Sequence, residues 1–286
     1  MPRPPYEYSP ITEREFDLPN GENVAFWVVP NIEWFQYDQP RELHQYVEEP
    51  PDVNTYSELD YGNRVGVWRM MEILDRYDVR GTVALNSMIC EEAPEIVEAG
   101  VERDWEFMGH GRTNSRPLSG LSEDEERELI RDVRDQIAET TDTQPRGWLG
   151  PARAESFRTP ELLAEAGFDY VGDWVNDDQP YRMDVSAGEL YSIPYSTVIS
   201  DKFFTDRKIS GPQWEQMVTD QFDVLYEEGE EAGNAKVMAI SLHPYLIGFP
   251  YRSKYLDRAL DHITGHDDVW VTTGSEIVDH FREHYD

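Results

Sequence analysis

Short apolar runs and longer amphipathic stretches alternate along the chain. Val24-Ala-Phe-Trp-Val-Val29 is apolar throughout, the pattern of a strand covered on both faces; a half-exposed strand would alternate. From Gln36 to about Asn63 the chain is rich in Pro, Asp and Tyr and reads as a long loop. Val67, Met70, Met71, Leu74 and Tyr77 then recur at helical spacing. Gly81 to Leu85 reads as a second strand, Ala93 to Ala99 as a short helix stopped by Gly100, and Trp105 to Met108 as a third strand. The clearest helix runs from Ser122 to Thr140: Ser122-Glu-Asp-Glu125 is a capping box, and Ile130, Val133 and Ile137 form its buried stripe. Gly147-Trp-Leu149 is the expected fourth strand. Thr159 as N-cap, Pro160 at the first helical position and Gly167 past the end delimit the next helix. Strands follow at Phe168 to Val171 and Leu190 to Tyr195, then a helix at Gln213 to Glu228. A strand at Val237 to Leu242, a helix at Ser253 to Ile263, a strand at Val269 to Val271 and a final helix capped by Ser275 complete the chain.

Repeated strand-then-helix units mean parallel strands with helical crossovers, and about seven such units favour a closed or nearly closed (β/α) barrel. A doubly wound open sheet is the alternative. With no repeat of fixed period and no linker-like stretch, one domain spanning 20–286 is expected, preceded by an N-terminal extension, 1–19.

Composition adds one strong feature. Among 286 residues, 58 Asp and Glu face 25 Lys and Arg, a formal net charge of −33. Such self-repulsion opposes the compact state in dilute salt, whereas in molar salt the Debye length shrinks to about 3 Å and the repulsion is screened. The acidity is that of a halophilic surface. It argues against nucleic acid, whose phosphates require clustered Lys and Arg. Cys90 is the single cysteine, so no internal disulfide forms. MPRPPYEYSP shows no basic segment followed by an apolar one, and no apolar run approaches a membrane span. A soluble, cytoplasmic protein without membrane association is the expectation.

In a parallel barrel, functional groups come from the loops at the carboxyl ends of strands. Here those loops hold Asn31 and Glu33, then Asn86, then His110 and Asn114, then Gly150-Pro-Ala-Arg153, then Asp173 with Asp177-Asp178, and lastly His243. Each alone has a plain structural explanation; His110 between two glycines suits a tight turn. Together they read as an active site.

The order and context of these residues resemble the polysaccharide deacetylase family, the NodB-homology carbohydrate esterases. The likeness is strongest to the branch of cofactor-independent allantoinases and peptidoglycan-deacetylase-like proteins. It is carried by Asn31-Ile-Glu33, His110-Gly-Arg-Thr-Asn114, Trp148-Leu-Gly-Pro-Ala-Arg153, Asp173 with Asp177-Asp178-Gln-Pro-Tyr181, and Leu242-His243 followed by Gly248-Phe-Pro-Tyr-Arg252. It covers roughly Asn20 to the end. The resemblance implies a distorted (β/α) barrel, hydrolysis of an amide C–N bond, and a homo-oligomer. Metal-dependent members offer an aspartate and two histidines to Zn²⁺ or a similar ion. Here Asn114 stands at the second histidine position, and the aspartate pair reads Asn31-x-Glu33. An asparagine oxygen is a poor zinc ligand beside imidazole or carboxylate, so a strong metal site is not expected. Two alternatives stay open: no cofactor, or a weakly held divalent ion such as zinc on Glu33 and His110.

Amide hydrolysis needs an activated water, a stabiliser for the oxyanion and an acid for the leaving nitrogen. Glu33, the carboxylate directly after the first strand, is the candidate base. His243 is the candidate acid, as the resemblance implies for that position, with Asp178 or Asp173 orienting it. Without a metal, His110 and Asn114 would polarise the carbonyl or hold the water, with Asn31 beside them. Arg153 would fix a carboxylate, ureido or acyl oxygen. Trp148 and Trp174 are candidates for an apolar wall, although core packing explains each more simply. Cys90 reads as a small core residue, His44 as a loop residue within possible reach of the site, and His262, His266 and His280 as solvated groups near helix ends. Two functions follow. One is a hydrolase that deacetylates an amino sugar or opens a small cyclic ureide. The other is a catalytically inactive barrel that binds carbohydrate or a protein partner, a reading that Asn31 and Asn114 favour.

Overall fold

The computed structural model describes residues 3–40, 43–115, 118 and 120–286. Arg41 and Glu42 of the expected loop, and Met1 and Pro2 of the expected extension, lie outside the described residues.

The apolar run near the N-terminus becomes β1 (Val24–Ile32), buried along its whole length. Side chains alternate across a strand, so the two faces of β1 meet different neighbours. Val24, Phe26, Val28 and Ile32 pack outward against helices. Ala25, Trp27 and Val29 point into the bowl of the sheet with Ala84, Met108, Leu149, Tyr195 and Ala239. The same alternation carries Asn31 and Glu33 to the inner face.

Around β1 the parallel strands are β2 (Thr82–Leu85), β3 (Glu106–Gly109), β4 (Gly147–Trp148), β5 (Tyr170–Val171), β7 (Tyr191–Ser192), β8 (Lys236–Leu242) and β9 (Val269–Val271). β6 (Tyr181–Arg182) is the exception, antiparallel to β7. The order is β6-β7-β5-β4-β3-β2-β1-β8, with β9 pairing β1. One edge of β1 is taken by β8. The other is shared by β9 along Val24–Phe26 and by β2 at Asn31 and Ile32.

The expected α/β architecture of mostly parallel strands is present, while the count of about seven strands and the closure differ. The sheet has nine strands, and among the described residues none pairs its two ends, β6 and β8. It is a curled, mostly parallel half-barrel.

The helices are α1 (Val53–Tyr61), α2 (Val67–Arg76), α3 (Met88–Glu92), α4 (Pro94–Val101), α5 (Glu123–Thr141), α6 (Thr159–Ala166), α7 (Phe203–Asp206), α8 (Gly211–Gly229), α9 (Pro244–Ile247), α10 (Pro250–Thr264) and α11 (Gly274–Tyr285). The expected capping box of α5 is present in both directions. Two other caps differ. Thr159 is the first helical residue of α6, because its hydroxyl serves Glu126. Thr273, with Glu276, caps α11, while the Ser275 hydroxyl binds Glu106.

The expected loop from Gln36 also holds structure. Asp52 caps α1 by accepting from the Thr55 backbone N–H at 3.1 Å, and α1 runs through a π-turn, Gly62–Gly66, into α2. A Cβ on Gly62 would lie 2.7 Å from the Tyr245 nitrogen, so this segment requires glycine to pack on α9. That contact seats the turn following His243.

Before Asn20, Phe16 is buried, and Arg14 forms a two-toothed ion pair with Asp177 at 2.8 Å. No described helix is long and apolar enough to cross a membrane.

Candidate active site

Strand parity brings the site together. Asn31 and Glu33 from β1, His110 from β3, and Ser241 and His243 from β8 continue the inner faces of their strands past the carboxyl end. They line a cavity of about 640 Å³. Glu33 is at its centre: Oε1 is 3.5 Å from His110 Nε2 and 3.7 Å from His243 Nε2, and Oε2 accepts from the Tyr245 hydroxyl at 2.9 Å. Burial alone would push the Glu33 carboxyl up. Hydrogen bonding by His110 and the charges of His243, His110 and Lys202 outweigh it and hold the pKa at about 2. Glu33 is therefore a carboxylate at any ordinary pH. The same carboxylate and burial push the Tyr245 hydroxyl well above its ordinary value, so it remains a donor.

Each imidazole is fixed through Nδ1. His243 Nδ1 lies 2.7 Å from Asp201 Oδ1, and the His243 backbone N–H donates to Asp201 Oδ2 at 2.7 Å. Asp201 is fully buried, so this contact is shielded from competing water. His110 Nδ1 meets the Leu149 carbonyl oxygen, which can only accept. Nδ1 of His110 thus carries a proton, and Nε2 is turned to Glu33 Oε1 at 3.5 Å. Gly111, at φ +65°, makes the turn after His110, where a Cβ would lie 2.6 Å from Pro151. The glycine spacing around His110 is thus a requirement of the turn as well as of the site.

The two asparagines hold the rim. Asn31 Nδ2 lies within 3.1–3.4 Å of the Val29 carbonyl, the Leu242 carbonyl, Ser241 Oγ and the Tyr195 hydroxyl, tying β1 to β8. Asn114 Oδ1 accepts from Asn86 Nδ2 at 3.2 Å, and Asn86 Oδ1 accepts from the Trp34 N–H at 2.8 Å. With its oxygen already engaged, Asn114 is a poorer metal ligand still. The ligand atoms of Glu33, His110 and His243 do not all come within 4.8 Å of one another, whereas donors around a tetrahedral zinc sit roughly 3.3 Å apart. The residues present do not fit a three-ligand metal centre.

Arg153 reaches the cavity from a turn in which Ala152 and Arg153 both adopt left-handed backbone, at φ 56° and 53°. Such conformations in non-glycine residues cluster at functional sites. Lys202 and Arg207 also line the cavity, and none of these three cations is ion-paired among the described residues.

Other expected residues lie elsewhere. Asp178 bonds through its backbone to Val237 at the amino end of β8, and six residues at ~3.3 Å each put it roughly 20 Å from His243. The carboxylate on His243 is Asp201 instead. Asp173 accepts from the Gly150 N–H at 2.8 Å behind the cavity wall. Trp148 is fully buried on the outer face of β4 against Phe168, because parity turns Leu149 and not Trp148 inward. It is a core residue and forms no wall of the cavity. Trp174 is half-buried outside the cavity lining, His44 does not reach that lining, and Cys90 is buried in the helix-facing core. Asp201, Lys202, Tyr195 and Tyr245 were not anticipated. Applying the strand-end rule to the sixth expected strand would have reached the first three.

The fold is an α/β half-barrel that sets a carboxylate between two oriented imidazoles at its carboxyl rim. The model of the polysaccharide deacetylase family matches residues 48–171. A Schizosaccharomyces pombe protein described as a polysaccharide deacetylase is 30% identical over 238 residues, covering 77% of this chain and 73% of that one. A crystal structure of a polysaccharide deacetylase from Pseudomonas aeruginosa PAO1 superposes with a TM-score of 0.85 at 29% identity, covering 94% of each chain. An allantoinase structure superposes with a TM-score of 0.85 at 27% identity, covering 94% of this chain and 93% of that one. The chain belongs to the polysaccharide deacetylase family.

Proposed function

We propose that the protein hydrolyses a non-peptide amide C–N bond in a small substrate held in the cavity. Glu33, between His110 Nε2 at 3.5 Å and His243 Nε2 at 3.7 Å, is the observation that carries this reading. Glu33 draws a proton from the attacking water. Its low pKa depends on positive charge at the neighbouring imidazoles, and its basicity rises as that charge is drawn to the substrate. His243, with Nδ1 held by Asp201, delivers a proton from Nε2 to the leaving nitrogen. His110 and Arg153 face the developing oxyanion, and Asn31, Asn86 and Asn114 keep the rim in register.

The cavity volume is that of a small-molecule site. Its three unpaired cations, Arg153, Lys202 and Arg207, favour a substrate rich in acyl or ureido oxygens or carrying a carboxylate. An allantoin-like cyclic ureide meets this description better than a neutral N-acetyl sugar polymer, and the likeness to an allantoinase agrees. The test is a substrate panel in molar salt: ring opening of cyclic ureides and acetate release from N-acetylated amino sugars. Turnover of a ureide supports the reading in full, and turnover of an amino sugar supports the chemistry with the other substrate class. No turnover of any amide, with retained binding of a panel member, favours the inactive barrel.

A further inference from the structure

Three ligating side chains meet on the outer helical layer. Asp223 is exposed on α8, His262 lies in the last turn of α10, and His266 stands just past its end. His262 Nε2 is 2.7 Å from Asp223 Oδ1, and one ligand atom from each residue lies within 4.8 Å of the other two. Four positions apart, the two imidazoles fall on one helical face, with ring centroids 4.9 Å apart. Solvation alone does not account for this arrangement. His266 Nδ1 is 2.8 Å from the His262 carbonyl oxygen, so Nδ1 carries a proton and Nε2 is the nitrogen left to serve as a ligand. The rings are also packed in place: Phe222 lies 5.8 Å from His262 and 5.0 Å from His266, and Tyr226 lies 5.1 Å from His266. His280 and His284 on α11 repeat the spacing, with centroids 4.6 Å apart. There His280 Nε2 is taken by the Asp17 carbonyl oxygen, and among the described residues no third ligand joins them.

We propose that Asp223, His262 and His266 bind a divalent transition ion of the zinc class, clamping α8 to the carboxyl end of α10. Two imidazole nitrogens and one carboxylate oxygen are a donor set suited to Zn²⁺, with a further position left for water. Binding releases the proton shared between His262 Nε2 and Asp223, and the ion takes its place between them. Because the three ligands converge only when α8 and α10 are packed, the ion stabilises the folded state. The site is independent of the amide-hydrolysis reading, since none of its residues lines the catalytic cavity.

The experiment is calorimetric titration of the chelator-stripped full chain with Zn²⁺ in molar salt, with thermal unfolding measured with and without the ion. Co²⁺ substitution adds an absorption spectrum that reports the ligands directly. One equivalent should bind and raise Tm. His266→Ala and Asp223→Asn should each weaken binding at least about tenfold and abolish the rise in Tm. Glu33→Gln and His280→Ala should leave both unchanged. If His266→Ala alters the fold by circular dichroism, His266→Gln supplies the same comparison. Failure of the native protein to bind Zn²⁺, undiminished binding in the His266 variants, or loss of binding in Glu33→Gln would each overturn the assignment.

Discussion

Asp201 accepts two hydrogen bonds from one histidine, from the backbone N–H and from Nδ1, through different oxygens. An asparagine there can offer only one acceptor, and its amide would face a donor on the other side. Asp201→Asn should therefore let His243 turn or change tautomer, lowering kcat by about a hundredfold or more with a much smaller change in KM. Asp178→Asn, at the far end of β8, should leave kcat within about twofold. Steady-state kinetics on the two variants separate the assignments, and equal losses would contradict this one. Glu33, His110, Asn114, Arg153 and His243 could be picked out because each lies at the end of a recognisable strand or in the loop that follows it. Asp201 was within reach of the same rule, as it follows the sixth expected strand, but its link to His243 exists only in three dimensions. Trp148 follows the simpler of its two explanations, core packing, because adjacency in sequence to Gly150 and Arg153 says nothing about which face of β4 it occupies.

Strand parity does most of the assembly work, and it can be counted from β1 once the strand is known. What could not be counted is closure. A parallel run of strand and helix units is compatible with a full barrel or an open bowl, and the two-residue strands β4 to β7 leave no apolar run long enough to decide between them. α1 was missed because it buries no residue and so shows no apolar stripe, although its Asp52 cap was readable. The loops after β4 and β5 hold a further testable feature. Asp173 is buried with Glu155 half-buried beside it, and both carboxyls are pushed up, Glu155 by burial and the Asp173 charge, Asp173 chiefly by burial. A raised carboxyl favours the fold in its protonated form. The Glu155 contribution is thus fully present below its ordinary value of 4.5 and is lost as pH rises towards the folded value. Glu155→Gln, neutral at every pH, should raise Tm at pH 8 relative to the native chain and make little difference at pH 4. A lower Tm at pH 8 would mean that the ionised pair is stabilised by contacts other than those seen.

With 58 acidic residues against 25 basic ones, self-repulsion acts on the entire surface while the site needs its few cations free. Many arginines are spent in ion pairs such as Arg80–Glu276 and Arg146–Asp279, whereas those in the cavity are not. Tm should therefore rise steeply as KCl is increased from about 0.1 M to molar concentrations, because screening shortens the Debye length from about 10 Å to about 3 Å. A Tm independent of salt would show that the acidity is balanced in some other way. Screening would also weaken substrate capture by Arg153, Lys202 and Arg207, so KM should rise with salt while kcat changes little. The measurement that bears most directly on the proposed chemistry is the turnover of Glu33→Gln beside the native protein, on whichever amide of the panel is hydrolysed, with the substrate Kd measured alongside. The account predicts a fall in kcat of about a hundredfold to ten-thousandfold with binding preserved. Undiminished turnover in that variant would contradict it, and the base would have to be sought elsewhere in the cavity.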